Sequence, residues 1–319
     1  MVIHTADSRS EGKLALLFPG QGSHQVGMGY DLQRSFDSVK TFFRDVDAAV
    51  DFPLMELAFE GPEDDLRKTV NAQPAIMAVS LACLLVLREL GVGDGLAAPS
   101  YTAGHSLGEY TALVAAEALS PLDAIRLVRE RGRLMHEASL QRDGTMAAIL
   151  GLDEETLESV CREAGAEIAN INSEEQIVIS GEREGVGRAM DLATARGAKR
   201  TVLLQVGGAF HSSLMAPALE GMKRAIGDIS VAEPKVTVVA NTTGQPLTTA
   251  DEIKEELVNQ VCSCVQWRRS VSYLLDSGVT QFVELGPGRV LSGLVRRMSR
   301  QVDVKAAGDV ATVQQLLAE

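Results

Sequence analysis

The residues best suited to chemistry in this chain are a serine and its neighbours in the segment Thr102-Ala103-Gly104-His105-Ser106-Leu107-Gly108-Glu109. A serine with glycines two residues away on each side is typical of a sharp turn from a strand into a helix, which exposes a nucleophilic hydroxyl. Gly104 and Gly108 remove Cβ atoms that would collide in that turn. The N–H of Leu107 would face the space above Ser106 at a helix N-terminus, where anions are stabilised. The pattern alone fits either a catalytic serine or an ordinary glycine-rich turn.

A serine nucleophile needs a base, and the chain has only five histidines. In enzymes that carry this turn at the end of a sheet strand, the histidine follows the serine along the chain. Only His136 and His211 do so here. His136 fits the exposed face of a helix, so we predict His211 as the base, with a purely structural histidine as the alternative. His105 adjoins Ser106, but neighbours on a turn point apart, so we expect it to fix the turn.

The group that would orient His211 is not evident from the sequence. Asp143 and Asp191 lie between Ser106 and His211 but belong to, or flank, a separate segment. Glu284 ends a predicted strand and is a further candidate. The partner need only accept the imidazole N–H, so a backbone carbonyl would also serve.

The composition argues against several classes of protein. The chain has 319 residues, enough for one large domain or two unequal ones; 45% are hydrophobic, 23% are charged and 4% are aromatic, with a net charge of −13. The hydrophobic and charged shares are ordinary for a globular protein, whereas the low aromatic share predicts an aliphatic core. The negative charge argues against nucleic-acid binding. The four cysteines form no C-x-x-C pair, and Cys262-Ser263-Cys264 is too short for a zinc clip. We therefore expect free thiols, no metal and a cytoplasmic location.

No targeting or membrane segment is expected from the sequence. Residues 1–12 are polar, lack the apolar core of a secretory signal and are predicted to be a disordered lead-in. No apolar run approaches the ~18–20 residues of a membrane span.

The elements that must position these residues follow two patterns. Over residues 13–143 and 207–319, apolar strands alternate with helices, as in an α/β core with a parallel sheet. Residues 144–206 follow the order β-α-β-β-α-β, the ferredoxin-like signature. We therefore predict a small ferredoxin-like subdomain inserted in a larger α/β domain.

The hydrophobic periodicity predicts seven strands and eleven helices outside the Ser106 turn. The predicted strands are Lys13–Phe18, Met146–Leu150, Glu167–Asn172, Gln176–Ser180, Thr201–Val206, Val236–Ala240 and Gln281–Leu285. The predicted helices are Asp31–Val50, Pro53–Phe59, Ala75–Leu90, Tyr110–Leu119, Pro121–Leu140, Glu154–Ala164, Glu184–Arg196, Met215–Ile226, Asp251–Val258, Ser270–Ser277 and Val290–Arg300. A loop is predicted over Gly91–Pro99, and Ser120 is the predicted N-cap of the helix that starts at Pro121.

Five segments occur in an order that resembles one enzyme family. They are Phe18-Pro19-Gly20-Gln21-Gly22-Ser23, Gly104-His105-Ser106-Leu107-Gly108-Glu109, Arg131-Gly132-Arg133-Leu134-Met135, Gly208-Ala209-Phe210-His211-Ser212 and Val265-Gln266-Trp267. From about Leu14 to Arg300, the chain resembles the malonyl-CoA:acyl-carrier-protein transacylases and the acyltransferase domains of polyketide synthases. The resemblance implies an α/β-hydrolase-like core with a ferredoxin-like subdomain, in agreement with the pattern above.

The resemblance implies a role for each matched residue. Ser106 would carry the acyl group as an ester, and His211 would act as general base and then as general acid. The N–H groups of Leu107 and Gln21 would form the oxyanion hole, and Arg131 would pair with the free carboxylate of a malonyl group. A guanidinium suits that task because its donors match a carboxylate in a bidentate way. Without the resemblance, Arg131 would be interpreted as a solvated charged residue on a helix, and Gln21 as a turn residue.

Further positions follow from the same resemblance. Gln260, seven residues before Trp267, matches the position whose backbone carbonyl orients the histidine. Asn170 and Asn172 match positions that line the coenzyme A side of the cleft. Gln73 matches a recurrent position, for which we expect a structural role.

Phe210 bears on the size of the acyl group. The sequence Ala209-Phe210-His211 resembles the malonyl-selecting pattern, whereas relatives that use branched units tend to carry a serine before the histidine. A ring beside the base would crowd an α-methyl group, so the sequence predicts a preference for malonyl over methylmalonyl.

The resemblance implies a ping-pong transfer from a coenzyme A thioester to an acyl carrier protein, in fatty-acid or polyketide synthesis, with no cofactor. Carrier proteins are usually acidic, so docking on this acidic chain would need a local basic surface. The candidate surfaces, each of which could equally be scattered solvated charge, are Arg196 with Lys199 and Arg200, Arg268 with Arg269, and Arg296 with Arg297 and Arg300. A thioester hydrolase on the same scaffold and a non-catalytic carrier-binding protein are the alternative functions.

Overall fold

The computed structural model describes residues 12–90 and 98–318. The predicted lead-in, apart from its last residue, and most of the predicted loop Gly91–Pro99 lie outside the described residues.

Within the described residues, ten strands form two sheets. The strands are β1 Lys13–Phe18, β2 Pro99–Gly104, β3 Gly144–Leu150, β4 Ala166–Ser173, β5 Gln176–Glu182, β6 Arg200–Leu203, β7 Thr237–Val239, β8 Pro246–Leu247, β9 Val279–Leu285 and β10 Asp303–Ala307. The larger sheet has the order β10-β9-β1-β2-β7-β8, and all its neighbours are parallel except β7 and β8. The smaller sheet is antiparallel throughout, with the order β4-β5-β3-β6.

Helices connect the strands of both sheets. They are α1 Tyr30–Ser35, α2 Asp37–Val50, α3 Leu54–Glu60, α4 Glu63–Arg67, α5 Thr69–Glu89, α6 Gly108–Ala115, α7 Pro121–Ser139, α8 Glu154–Ala164, α9 Arg183–Ala195, α10 Leu219–Gly227, α11 Ala250–Asn259, α12 Trp267–Asp276, α13 Val290–Met298 and α14 Val310–Ala318, with a 3₁₀ helix at Ser213–Ala218. Alternate residues of β1 enter different cores: Leu14 and Leu16 pack with one set of helices, whereas Ala15 and Leu17 pack with another. The apolar run of β1 therefore reflects burial on both faces of a parallel sheet.

The small subdomain has the predicted architecture. Its chain order is β3, α8, β4, β5, α9 and β6, and its sheet order is the ferredoxin-like one. A separate core of fourteen buried apolar side chains packs α8 and α9 on this sheet. The predicted fold class, an α/β core with a ferredoxin-like insertion, is confirmed.

The start of helix α5 differs from the prediction. The sequence predicts a helix from Ala75, after Pro74, because a proline in a helix interior removes a hydrogen bond. The helix begins instead at Thr69 and includes Pro74. The carbonyl of Val70, which Pro74 leaves without its helical donor, accepts Nη1 of Arg129 at 3.0 Å. A long-range donor thus offsets the cost that the local rule assigns to this proline.

By length and composition alone, helix α5 is long and apolar enough to cross a membrane. The most apolar 18-residue window within its 21 residues has a mean hydropathy of 1.9, but 89% of that window is buried inside the protein. The expectation that no apolar segment approaches the length of a membrane span is therefore wrong for α5, which is a core helix of this fold.

Other boundaries also differ. The helix predicted over Asp31–Val50 is divided at Phe36, whose backbone is extended. The strand predicted over Thr201–Val206 ends at Leu203, and the helix predicted over Met215–Ile226 begins as a 3₁₀ turn. Helices α4 and α14 and strands β8 and β10 were not predicted. Ser120 caps α7 as predicted, since its hydroxyl accepts the N–H of Asp123 at 3.3 Å.

Candidate active site

A cavity of about 380 Å³ lies between the two sheets. Its floor is formed where β1 and β2 end in the loops that carry Gln21 and Ser106, and its opposite wall includes Asn170 and Asn172 of β4. Ligands of open α/β sheets bind at the carboxyl ends of parallel strands. The cavity is therefore placed where the fold favours a ligand.

The serine stands on a strained turn. Ser106 has a φ of 53°, in the left-handed region that non-glycine residues rarely adopt. A Cβ on Gly104 would lie 2.0 Å from the backbone carbon and oxygen of Gly108, and a Cβ on Gly108 would lie 2.1 Å from the carbonyl oxygen of Phe18. Neither glycine can therefore carry a side chain without moving the backbone, as the sequence predicts.

The structure brings Ser106 and His211 together. The serine Oγ lies 2.8 Å from Nε2 of His211, and Nδ1 of the same ring lies 2.9 Å from the backbone oxygen of Gln260. Nδ1 therefore donates to the carbonyl, and Nε2 is free to accept the serine proton. The orienting group is a backbone carbonyl rather than a carboxylate.

The candidate carboxylates and the other histidine lie elsewhere. Asp143 pairs with Arg183 on the surface, and Asp191 is exposed. Glu284 accepts the N–H groups of Leu291 and Ser292 at the start of α13. His136 is exposed on α7.

The environment of His211 favours its neutral form. Burial and, to a smaller extent, the nearby Arg131 charge lower the pKa of His211 to about 3, although the hydrogen bond that its Nδ1 donates to the backbone oxygen of Gln260 acts in the opposite direction. The imidazole is therefore unprotonated at neutral pH, which is the form that a general base requires.

Arg131 is not a solvated helix charge. It is 1% exposed, and its Nη2 lies 3.1 Å from Oγ of Ser106 and 2.8 Å from Oε1 of Gln260. Its Nη1 donates to Oε1 of Gln73 at 2.5 Å, and its guanidinium carbon lies 5.5 Å from the ring centre of Tyr110. Its Nε is buried without a hydrogen-bond partner among the described residues. A permanent positive charge with spare donor capacity therefore adjoins the nucleophile.

Two backbone N–H groups adjoin Ser106. No group in the described part of the chain accepts the N–H of Leu107 or of Gln21. Leu107 precedes α6 directly, so its N–H belongs to the positive end of that helix. Both N–H groups remain available to a developing oxyanion.

Gln73 connects Arg131 to the Gln21 loop. Gln73 accepts from Arg131 and donates through Nε2 to Oγ1 of Thr69 at 2.8 Å. The Thr69 hydroxyl in turn donates to Oε1 of Gln21 at 2.8 Å. The contacts of Gln73 therefore position other polar groups, which is the structural role that the sequence predicts for it.

The remaining predicted residues line the cavity. His105 bonds through Nε2 to Oδ1 of Asn172 at 2.9 Å, and its ring lies 5.7 Å from that of Trp267. Asn170 and Asn172 face the cavity from the small sheet, and Phe210 adjoins the base. His105 therefore connects the serine turn to the small subdomain.

Sequence reasoning did not identify Asn241 or Thr69. Asn241 accepts the N–H of Ser106 through Oδ1 at 2.7 Å and donates through Nδ2 to the oxygen of Gly104 at 2.7 Å. It follows the predicted strand Val236–Ala240 directly, and a polar residue at that end of a core strand is a signal that could have identified it. Thr69 carries no such signal.

Comparisons with known proteins agree with this geometry. A family model described as the acyl transferase domain matches residues 15–316. The chain belongs to the acyl transferase family. A malonyl CoA-acyl carrier protein transacylase of Bacillus subtilis is 43% identical over 307 residues, which cover 95% of each chain.

Solved structures of the family share the fold closely. An acyl-carrier-protein S-malonyltransferase from Bartonella henselae is 41% identical, with a TM-score of 0.92 over 96% of this chain and 98% of that one. A malonyl-transacylase solved in complex with its type II PKS acyl-carrier protein is 39% identical, with a TM-score of 0.92 over 96% and 99%. Both folds therefore match this acyl transferase along nearly its whole length.

Proposed function

We propose that this acyl transferase moves a malonyl group from malonyl-CoA to the pantetheine thiol of an acyl carrier protein through an ester on Ser106. The observation that carries the proposal is the buried Arg131 guanidinium, 3.1 Å from the serine hydroxyl. A fixed positive charge at that position stabilises an acyl group that ends in a carboxylate. The relatives named for malonyl transfer support the same substrate.

In the first half-reaction, Nε2 of His211 accepts the Ser106 proton while Oγ attacks the thioester carbonyl. The carbonyl oxygen becomes negative and accepts the N–H groups of Leu107 and Gln21, each of which is worth about 10²–10³ in rate in comparable sites. The C–S bond then breaks, and the departing sulfur takes the proton from His211. The product is a malonyl ester on Ser106 and free coenzyme A.

The second half-reaction reverses these roles. His211 accepts the proton of the pantetheine thiol, whose sulfur attacks the ester carbonyl, and the proton returns to Oγ of Ser106 as the C–O bond breaks. Because the two thiols use one site in turn, the kinetics are expected to be ping-pong. No cofactor is required, because the chain supplies the nucleophile, the base and the charged group.

The proposed setting is the cytoplasm, in fatty-acid or polyketide synthesis. The four cysteines are unpaired, as is usual in a reducing compartment. The net charge of −13 argues against a nucleic acid as partner.

The test uses intact mass measurements after incubation with malonyl-CoA or acetyl-CoA. The wild type should gain a malonyl adduct, and Ser106→Ala should gain none. Arg131→Ala should lose roughly 10–100-fold in kcat/KM for malonyl relative to acetyl, because a charge-assisted pair is removed. Retained label on Ser106→Ala would exclude this nucleophile, and an unchanged ratio in Arg131→Ala would exclude the carboxylate clamp.

The acceptor is tested in the same experiment. Adding a carrier protein should move the malonyl mass to the carrier, while free malonate stays low. Release of malonate without carrier acylation would identify a hydrolase instead.

A further inference from the structure

The buried carboxyl of Glu109 takes no part in the steps above, yet it contacts two residues that hold the reacting groups. It is 0% exposed and lies in the first turn of α6, three residues after Ser106. Its Oε1 accepts the backbone N–H of Asn241 at 2.8 Å, and its Oε2 accepts Nε2 of Gln260. Asn241 in turn holds the N–H of Ser106. One carboxyl therefore connects the serine turn with the loop that carries Gln260.

Both the nitrogen and the oxygen of the Gln260 side-chain amide form hydrogen bonds in this part of the site. Its Nε2 donates to Glu109 and to the backbone oxygen of Ser106, the latter at 2.9 Å, while its Oε1 accepts Nη2 of Arg131 at 2.8 Å. An amide presents donors on one side and an acceptor on the other. The carboxyl of Glu109 therefore acts together with the carbonyl of Ser106 to keep the nitrogen on that side and to turn the oxygen toward Arg131.

We propose that Glu109 is a positioning residue for acyl selection, which fixes the rotational state of the Gln260 amide and thereby holds the Arg131 guanidinium beside Ser106. The inference rests on the proposed malonyl transfer. It assigns Glu109 a role separate from the backbone carbonyl of Gln260, which holds His211 without any help from the amide.

The test is Glu109→Gln. A glutamine offers one acceptor and one donor group, so it cannot accept from both Asn241 and Gln260. The Gln260 amide then rotates and presents its nitrogen to Arg131, which sets donor against donor. We expect the malonyl-to-acetyl ratio of kcat/KM to fall roughly tenfold or more, while acetyl labelling of Ser106 continues.

Glu284→Gln is the matched control. Glu284 is also a fully buried glutamate whose two oxygens each accept one group, but these groups are the backbone N–H of Leu291 and of Ser292 instead of Gln260. The same carboxyl-to-amide change there should leave the acyl ratio as in the wild type, whatever it does to the melting temperature. A drop in the ratio as large as that of Glu109→Gln would overturn the assignment.

A double-mutant cycle shows whether the effect passes through Gln260. Gln260→Ala removes the amide but keeps the carbonyl that orients His211, so it should itself lower the ratio. Adding Glu109→Gln to it should lower the ratio no further. An additive second loss, or a wild-type ratio in Glu109→Gln, would contradict the proposal.

Two further outcomes are distinguishable. A wild type that forms no malonyl ester would contradict the proposed function, whereas a selective wild type with an equally selective Glu109→Gln would contradict only the role of Glu109. If Glu109→Gln fails to fold, Gln260→Ala alone decides, because full retention of malonyl preference in that variant would exclude the amide as the connecting group.

Discussion

At the scale of single residues, the positive charge of Arg131 suits the proposed substrate but disfavours protonation of the base His211. In the proposed transfer, Arg131 lies close to Ser106 so that it can pair with the substrate carboxylate, but its charge acts together with burial to lower the pKa of His211 to about 3. The base must nevertheless become positive during the reaction. A malonyl carboxylate paired with Arg131 offsets that charge, so the preferred substrate raises the basicity of His211, whereas an acetyl group leaves it low.

The lowered pKa of His211 predicts how stability depends on pH. Burial and the Arg131 charge favour the neutral imidazole in the folded state, whereas the unfolded histidine titrates near 6.5. The unfolded chain therefore binds the extra proton between pH 6.5 and about 3, so the stabilising contribution is complete above pH 6.5 and is lost as the pH falls. Relative to His211→Gln, the free energy of unfolding of the wild type should fall by up to about 1.4 kcal/mol per pH unit in that window.

Urea unfolding of both proteins between pH 5 and 8 checks this prediction. The carboxylates titrate in both proteins and cancel in the difference. The difference between the two free energies should be constant above pH 7, and a difference that stays flat down to pH 5 would contradict the cause assigned to the shift.

At the scale of elements, the turn between β2 and α6 requires both glycines. A Cβ on Gly104 would meet backbone atoms of Gly108 at 2.0 Å, and backbone cannot yield as a flexible side chain can. Gly104→Ala should therefore cost about 3 kcal/mol or more in unfolding free energy and abolish labelling of Ser106. Gly187→Ala, at an exposed position of α9, is the control, because a Cβ there meets nothing within 4 Å, and it should be neutral or stabilising. Wild-type stability and labelling in Gly104→Ala would show that the turn relaxes.

Short-range patterns predicted the elements that depend on neighbours in sequence. The Ser106 turn, the continuous apolar run of β1 and the order of elements in the small subdomain are all encoded locally. The helix α5 start was not predicted, because the donor that makes Pro74 tolerable comes from Arg129, which is distant in sequence. Strand β10 was missed because this edge strand, Asp303–Ala307, carries few strongly apolar residues.

The residues of the candidate site also fall into two groups, those that a local motif predicts and those that depend on contacts between distant parts of the chain. The serine, the histidine and Gln21 stand in motifs, but the proximity of Arg131 to the hydroxyl was implied only by resemblance. Asn241 reaches Ser106 across 135 positions, and Glu109 reaches Gln260 across 151. Such contacts depend on how the loops meet at the sheet edge, and no spacing along the chain reports them.

At the scale of the whole molecule, the distribution of charge decides how an acidic carrier protein could approach. Several cations of the three predicted basic surfaces are already engaged. Arg196, Lys199 and Arg268 form ion pairs with Glu163, Glu175 and Glu154, and Arg296 donates to the carbonyl of Val304. Within residues 12–90 and 98–318, the exposed Arg297 and Arg300 have no carboxylate partner.

Arg297 lies in the last turn of α13, whose first residues line the cavity, and Arg300 follows two residues after that helix ends. Val290 and Leu291 of α13 border the cavity, and Val290 is 53% exposed at its mouth. The nine residues of α13 span roughly 13 Å, so both arginines are one short helix away from the mouth. Their field therefore reaches a partner seated over the cavity at low salt, where the Debye length is about 30 Å at 0.01 M, and is largely screened at physiological salt, where it is about 8 Å.

We therefore expect Arg297→Glu with Arg300→Glu to lower kcat/KM for an acidic carrier roughly tenfold at low salt, because steering of the encounter is lost. Acylation of Ser106 by malonyl-CoA should be unchanged, which separates docking from chemistry. Arg44→Glu, on the exposed α2 helix and 75% exposed at its side chain, is the matched control. The wild-type rate with the carrier should fall as salt rises, and the double variant should lose most of that dependence. If the rate of transfer to the carrier changes neither with salt nor with these charge reversals, this surface is not the docking site. The other two predicted basic surfaces, which contain Arg200 and Arg269, would then be tested by charge reversal in the same way.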